Sequence, residues 1–177
     1  IIQMVPDLYI AWHAGKSKWK KDKSINKYSL GIEISNPGHF HGYKKFNHNQ
    51  INSLIKLSKY LIKKYKIKQN NILGHSDVAP LRKKDPGEKF PWKYLSKNKV
   101  GIWHNFKKID NTKFRVDQNN LNESSFLKKL NKFGYPIKHS NKKEMQKIIK
   151  SFQRRFRPEL VNGYIDNECI MIIKSLI

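Results

Sequence analysis

Across residues 28–36, Leu30, Ile32 and Ile34 alternate with Gly31, Glu33 and Ser35. That period of two predicts a strand with one face in a core, and Pro37-Gly38 ends it. From 48 to 65 the period changes. Ile51, Leu54, Ile55, Ser58, Leu61, Ile62 and Tyr65 recur at helical spacing, predicting an amphipathic helix with a lysine-rich outer face. Asn47, with Gln50 three residues on, fits a capping box at its start. Ile72-Leu73 reads as a second short strand that runs into Gly74-His75-Ser76-Asp77, and Pro80 to Pro91 reads as an ordered loop. Residues 104–120 are polar and aperiodic, as in a linker.

Three helical patterns follow. Phe126, Leu127, Leu130 and Phe133 mark the first; Met145, Ile148, Ile149, Phe152 and Phe156 the second; Ile170, Ile173 and Leu176 the third. Asn141, followed three residues later by Glu144, caps the second, and Asp166 caps the third. Gly134-Tyr135-Pro136 and Asn162-Gly163 supply the turns. Helices this short form only a minimal bundle.

Composition adds bounds. A chain of 177 residues holds one ordinary domain, or a compact one plus a small module. At 38% hydrophobic residues it is too apolar for a disordered chain, yet it has no run near the roughly 18 apolar residues of a membrane span. The net charge of +24 suggests a polyanionic partner. Nearly all of it is lysine, however, and Lys, Asn and Ile are abundant together; the arginines are only Arg82, Arg115, Arg154, Arg155 and Arg157. The lysines are dispersed, which favours a compositional origin and argues against a specific nucleic-acid partner. A single cysteine, Cys169, excludes an internal disulfide and a cysteine metal cluster.

Four residues could carry chemistry: Glu33, His75, Lys83 and Asp85. A His nitrogen and an Asp oxygen are ordinary zinc ligands, each bound at about 2.0–2.2 Å. Glu33, on the polar side of its strand, suits a general base. Lys83, two residues before Asp85, suits a cation beside a developing oxyanion. Taken singly, each also has a plain reading: a turn-closing histidine, a solvated glutamate, one lysine among many.

Four blocks occur in order: Ala11-Trp12-His13-Ala14-Gly15; Ser29-Leu30-Gly31-Ile32-Glu33-Ile34; Gly74-His75-Ser76-Asp77-Val78-Ala79-Pro80; and Arg82-Lys83-Lys84-Asp85-Pro86-Gly87 with Phe90-Pro91-Trp92. Their order and spacing, over residues 10 to 103, resemble the N-acetylmuramoyl-L-alanine amidases of the amidase-2 family (the AmpD/AmiD type). Phe152-Gln153-Arg154-Arg155-Phe156 and Gly163-Tyr164-Ile165-Asp166 resemble, more loosely, the three-helix peptidoglycan-binding domain.

The resemblance implies an α/β amidase-2 domain over 1–103, with a mixed β-sheet flanked by helices. A linker over 104–120 and a peptidoglycan-binding-like helical domain over 121–177 would follow. It implies zinc as cofactor, His75 and Asp85 as two of its ligands, Glu33 and Lys83 as catalytic groups, and Trp12, His13 and Asn36 as substrate contacts. The reaction implied is zinc-assisted hydrolysis of the bond between the lactyl group of N-acetylmuramic acid and L-alanine. Peptidoglycan or muropeptides are then the partners of a monomer in the bacterial envelope, in the periplasm or at the outer membrane; a cytoplasmic recycling enzyme is the alternative.

One departure changes the expectation. The family's other histidine ligand lies on a strand upstream of Trp12-His13, and none of the eleven residues before Trp12 is histidine. The chain is therefore expected to lack that strand, to hold zinc with two ligands and to be a poor amidase. The rival expectation is a peptidoglycan-binding protein without hydrolysis.

Overall fold

The computed structural model describes residues 1–106, 123–137 and 141–177. Paired strands are short. β1 (Lys18–Trp19) and β2 (Asp22–Lys23) form an antiparallel hairpin in which Trp19 faces Asp22. Among the described residues six α-helices follow in chain order: α1 (His48–Tyr65), α2 (His75–Val78), α3 (Trp92–Lys97), α4 (Glu123–Phe133), α5 (Lys142–Phe156) and α6 (Asn167–Leu176).

The helix start signals act as read. Asn47 and Gln50 close a reciprocal capping box on α1, which buries Ile51, Leu54, Ile55 and Ser58. Tyr65, expected on the inner face, is exposed, because α1 ends there in the left-handed Lys66. Asn141 accepts from the Glu144 amide at 3.0 Å, and Asp166 from the Cys169 amide at 2.9 Å. α6 turns Cys169, Ile172 and Ile173 fully inward, while Ile170 and Leu176 are only partly buried.

The expected mixed sheet does not form among the described residues. Residues 28–36 are not paired as a strand, and Ile72-Leu73 continues from a one-turn 3-10 helix (Gln69–Asn71) without pairing. Alternation fixes which side chains share a face, but a strand also needs a neighbour for its amides and carbonyls. Without one, Leu30 and Ile32 stay 40% and 39% exposed, and only Ile34 packs on a core. Most of the proposed linker, residues 107–120, lies outside the described residues.

Among the described residues, apolar side chains gather in two clusters. The smaller gathers Ile51, Leu54 and Ile55 of α1 with Phe90, Trp92, Leu95 and Val100. The larger joins α4, α5 and α6 to Trp19, Val78 and Ala79. The three C-terminal helices thus share a core with β1 and α2. Gly134, after α4, illustrates how close the join is. Its φ of +149° and the Trp19 ring leave no room for a Cβ, the nearest ring atom being 2.4 Å from where one would sit. Its carbonyl accepts from the Lys20 amide at 2.8 Å.

Candidate active site

Gly74 begins the site. A Cβ there would lie 2.8 Å from Pro86 and 3.3 Å from Trp92, so the backbone of the third motif block packs directly on the fourth. α2 starts at the next residue, and the Ser76 amide donates to the Asp85 carbonyl at 2.8 Å. These contacts bring together side chains ten residues apart: His75 Nδ1 lies 3.0 Å from Asp85 Oδ2. His75 is mostly buried, whereas the Asp85 side chain is open to solvent on one side. Burial works to raise the Asp85 carboxyl. The His75 hydrogen bond, the residue's own amide and the charges of His75 and Lys83 outweigh it and hold the group below the usual carboxylate range.

The first block packs on the same place. His75 Nε2 lies 3.2 Å from the Ala14 carbonyl oxygen, and Arg82 donates to that oxygen at 2.7 Å and to the Lys16 carbonyl at 3.2 Å. The Ala14 amide donates to buried Asn26 at 2.7 Å. One residue earlier, the His13 ring covers Gly31, where a Cβ would meet it at 2.5 Å. His13 Nε2 lies 2.9 Å from the Ser29 hydroxyl. That hydroxyl already donates to the Ile25 carbonyl at 2.8 Å, so it accepts from His13. The second block is therefore tied to the first, and the first to His75.

The other sequence-predicted residues are arranged less tightly. Glu33 lies two residues beyond Gly31, exposed, with no hydrogen bond or ion pair among the described residues. Lys83 is half-buried, and its charge contributes to the low Asp85 carboxyl. Trp12 is 86% exposed beside His13. Asn36 fastens its own loop, donating to the Lys44 carbonyl at 3.0 Å and accepting from the Gly38 amide at 3.0 Å.

Sequence reasoning missed the groups that hold this geometry: Arg82, and the buried partners of Asp77 described below. A signal existed. In a chain whose positive charge is nearly all lysine, each arginine is unusual, and a planar fork of donors suits multi-acceptor sites.

The fit to zinc can be tested on the donors. Two donors in one tetrahedral zinc shell stand about 3.3 Å apart, given bonds of about 2.0–2.1 Å; His75 and Asp85 stand 3.0 Å apart. Their chemistry and separation suit one metal, but no group of three or more His, Cys, Asp or Glu side chains converges among the described residues. The described residues thus present two candidate donors, with no third His, Cys, Asp or Glu converging on them.

The Amidase_2 model, N-acetylmuramoyl-L-alanine amidase, matches residues 1–88. The chain belongs to this amidase family. Over 184 residues it is 36% identical to the N-acetylmuramoyl-L-alanine amidase AmiD of Escherichia coli K12, covering 100% of this chain and 67% of that protein. It is 37% identical over 92 residues to the 1,6-anhydro-N-acetylmuramyl-L-alanine amidase AmpD of Enterobacter cloacae, covering 52% of this chain and 47% of that one. Among solved structures, E. coli AmiD in complex with the substrate anhydro-N-acetylmuramic acid-L-Ala-D-gamma-Glu-L-Lys superposes with a TM-score of 0.88 at 35% identity, over 99% of this chain and 71% of that one. AmpDh3 of Pseudomonas aeruginosa in complex with anhydromuramic pentapeptide gives 0.87 at 29% identity, with the same coverage. Both superpositions take in the C-terminal helices as well as the motif blocks.

Proposed function

We propose that this chain acts on muropeptides at the amide between the muramyl lactyl group and L-alanine, with anhydromuramyl peptides as the substrate class. The observation that carries the reading is the His75–Asp85 pair at 3.0 Å, assembled from two of the four motif blocks. The bound ligands of the solved relatives support the substrate class. His75 and Asp85 are the metal-facing pair in this reading. Glu33 handles the proton of the attacking water, and Lys83 stands by the developing oxyanion. Trp12, His13 and Asn36 contact sugar or peptide, and the helices of 121–177 contribute peptidoglycan binding. The setting proposed is the bacterial envelope, with cytoplasmic recycling as the alternative.

A catalytic zinc takes three protein ligands and keeps one position open for water. The two-donor set therefore favours weak zinc and slow turnover from the described residues alone. It also supports a second reading: a muropeptide-binding protein that does not hydrolyse. Incubating the chain with an anhydromuramyl tripeptide in the presence of zinc separates the two. Release of free peptide, lost in His75→Ala, supports the amidase; saturable binding without release supports the binder. Neither release nor binding overturns both.

A further inference from the structure

Beneath His75 lies a buried polar knot that the chemistry above does not use. Asp77, 1% exposed, sits in α2 two residues after His75. One carboxylate oxygen accepts from the Gly74 amide at 2.8 Å and from Arg155 Nη1; the other accepts from the Tyr135 hydroxyl. The second arm of Arg155 donates to the Ile72 carbonyl at 2.8 Å, and its guanidinium lies over the Trp92 ring, 4.2 Å from the centroid. Ser151 donates to the Ser76 carbonyl at 2.7 Å. Ser151 and Arg155 are four residues apart on α5 and so share one face. Burial, and then the charge of Asp77, push the Tyr135 hydroxyl well above its usual range, which keeps it a donor.

The side-chain donors of this grip, Arg155, Tyr135 and Ser151, come from α5 and the turn after α4, and the oxygens they reach lie between Ile72 and Asp77. The geometry points to Arg155, Tyr135 and Ser151 as positioning residues. We propose that they set the place of His75 relative to Asp85 by fixing the backbone of α2 from the C-terminal side. α2 is a single turn; alone it has too few internal hydrogen bonds to hold an imidazole in place. The Ser76 amide passes the constraint on to the Asp85 loop. The C-terminal helices thereby act on the site through α2, apart from any contact they make with cell-wall polymer. The inference rests on the reading of His75 as a functional group only for its consequence in catalysis, not for the geometry itself.

The test uses the full chain, free of metal, with the His75 ring resolved by nitrogen-proton NMR. Tyr135→Phe, Arg155→Lys and the milder Ser151→Ala are compared with Arg157→Lys. That control loosens a buried pair with Asp166 between the end of α5 and the start of α6, away from α2. The expected result is a shift of the His75 ring signals in the first three variants, with the hydrogen shared with Asp85 exchanging about tenfold faster. Arg157→Lys should lower the melting temperature at least as much as Ser151→Ala yet leave those signals in place. Unchanged His75 signals in all three variants, or equal shifts in the control, overturn the positioning role. A second arm titrates zinc. A loss of affinity of about 10–100-fold in Tyr135→Phe and Arg155→Lys is expected where an outer partner orients a ligand. If the wild-type chain binds no zinc while the ring signals still move, the positioning stands and the amidase reading fails.

Discussion

Residues 1–47 and the helices α4 to α6 spend their apolar side chains in opposite ways. In the first region only Ala14 and Trp19 are buried among the apolar residues, while Leu8 and Trp12 stand 96% and 86% exposed. In the second, ten apolar side chains from Phe126 to Ile173 are buried in one cluster. Yet two of the four motif blocks lie in the thin region. The molecule therefore holds its first two blocks through a few ties, chiefly Trp19, the Ala14 carbonyl and the His13–Ser29 contact. His75 and Asp85 depend instead on the well-packed region, through α2. Sequence motifs report where the chemistry is; they do not report what holds it up.

The contrast can be broken by substitution. Phe152→Ala should cost about 3–5 kcal/mol, as expected for a fully buried ring, and Leu8→Ala less than about 0.5 kcal/mol, both read from urea denaturation. Similar losses would erase the difference between the regions. Gly134→Ala tests the join itself. With the Trp19 ring in the way and a positive φ, it should cost about 1–3 kcal/mol; a neutral outcome would mean that β1 is not seated on α4. Asn141→Ala removes the α5 cap and should cost about 1 kcal/mol by the same measurement. No change would show that the start of α5 contributes nothing to the packed region.

The smallest expected effect is with pH. Burial disfavours the charged form of His104 and holds its pKa below the ordinary histidine value, despite its contact with the Phe156 carbonyl. As pH falls through about 6.5, the unfolded chain takes up this proton more readily than the folded one, so stability declines. The melting temperature should drop between about pH 7.5 and about pH 5.5, and His104→Gln should flatten part of that slope. An unaltered slope would assign it to other groups.

Local features of the fold were legible in the sequence, because helices and their caps are written in neighbouring residues. Asn47, Asn141 and Asp166 all cap as expected. The sheet was not legible, since pairing is non-local: residues 28–36 have the alternation of a strand without a partner among the described residues. The β1–β2 hairpin was missed because strands of two residues carry no periodicity. At the site, the His75–Asp85 encounter could be expected from the order of the blocks. The Asp77 knot could not, since Asp77 and Arg155 are 78 residues apart in the chain. Only the scarcity of arginine marked its far end.

Zinc binding measured together with hydrolysis tests the central claim most directly: that this member of the amidase family brings His75 and Asp85 together but completes no three-ligand site among its described residues. Equilibrium dialysis with zinc, followed by release of peptide from an anhydromuramyl tripeptide, gives both readouts on one sample. The account predicts weak zinc, less than one equivalent at micromolar free metal, abolished by His75→Ala, together with slow release. One tightly held equivalent with fast turnover would contradict it and would require a third ligand that the described residues do not reveal.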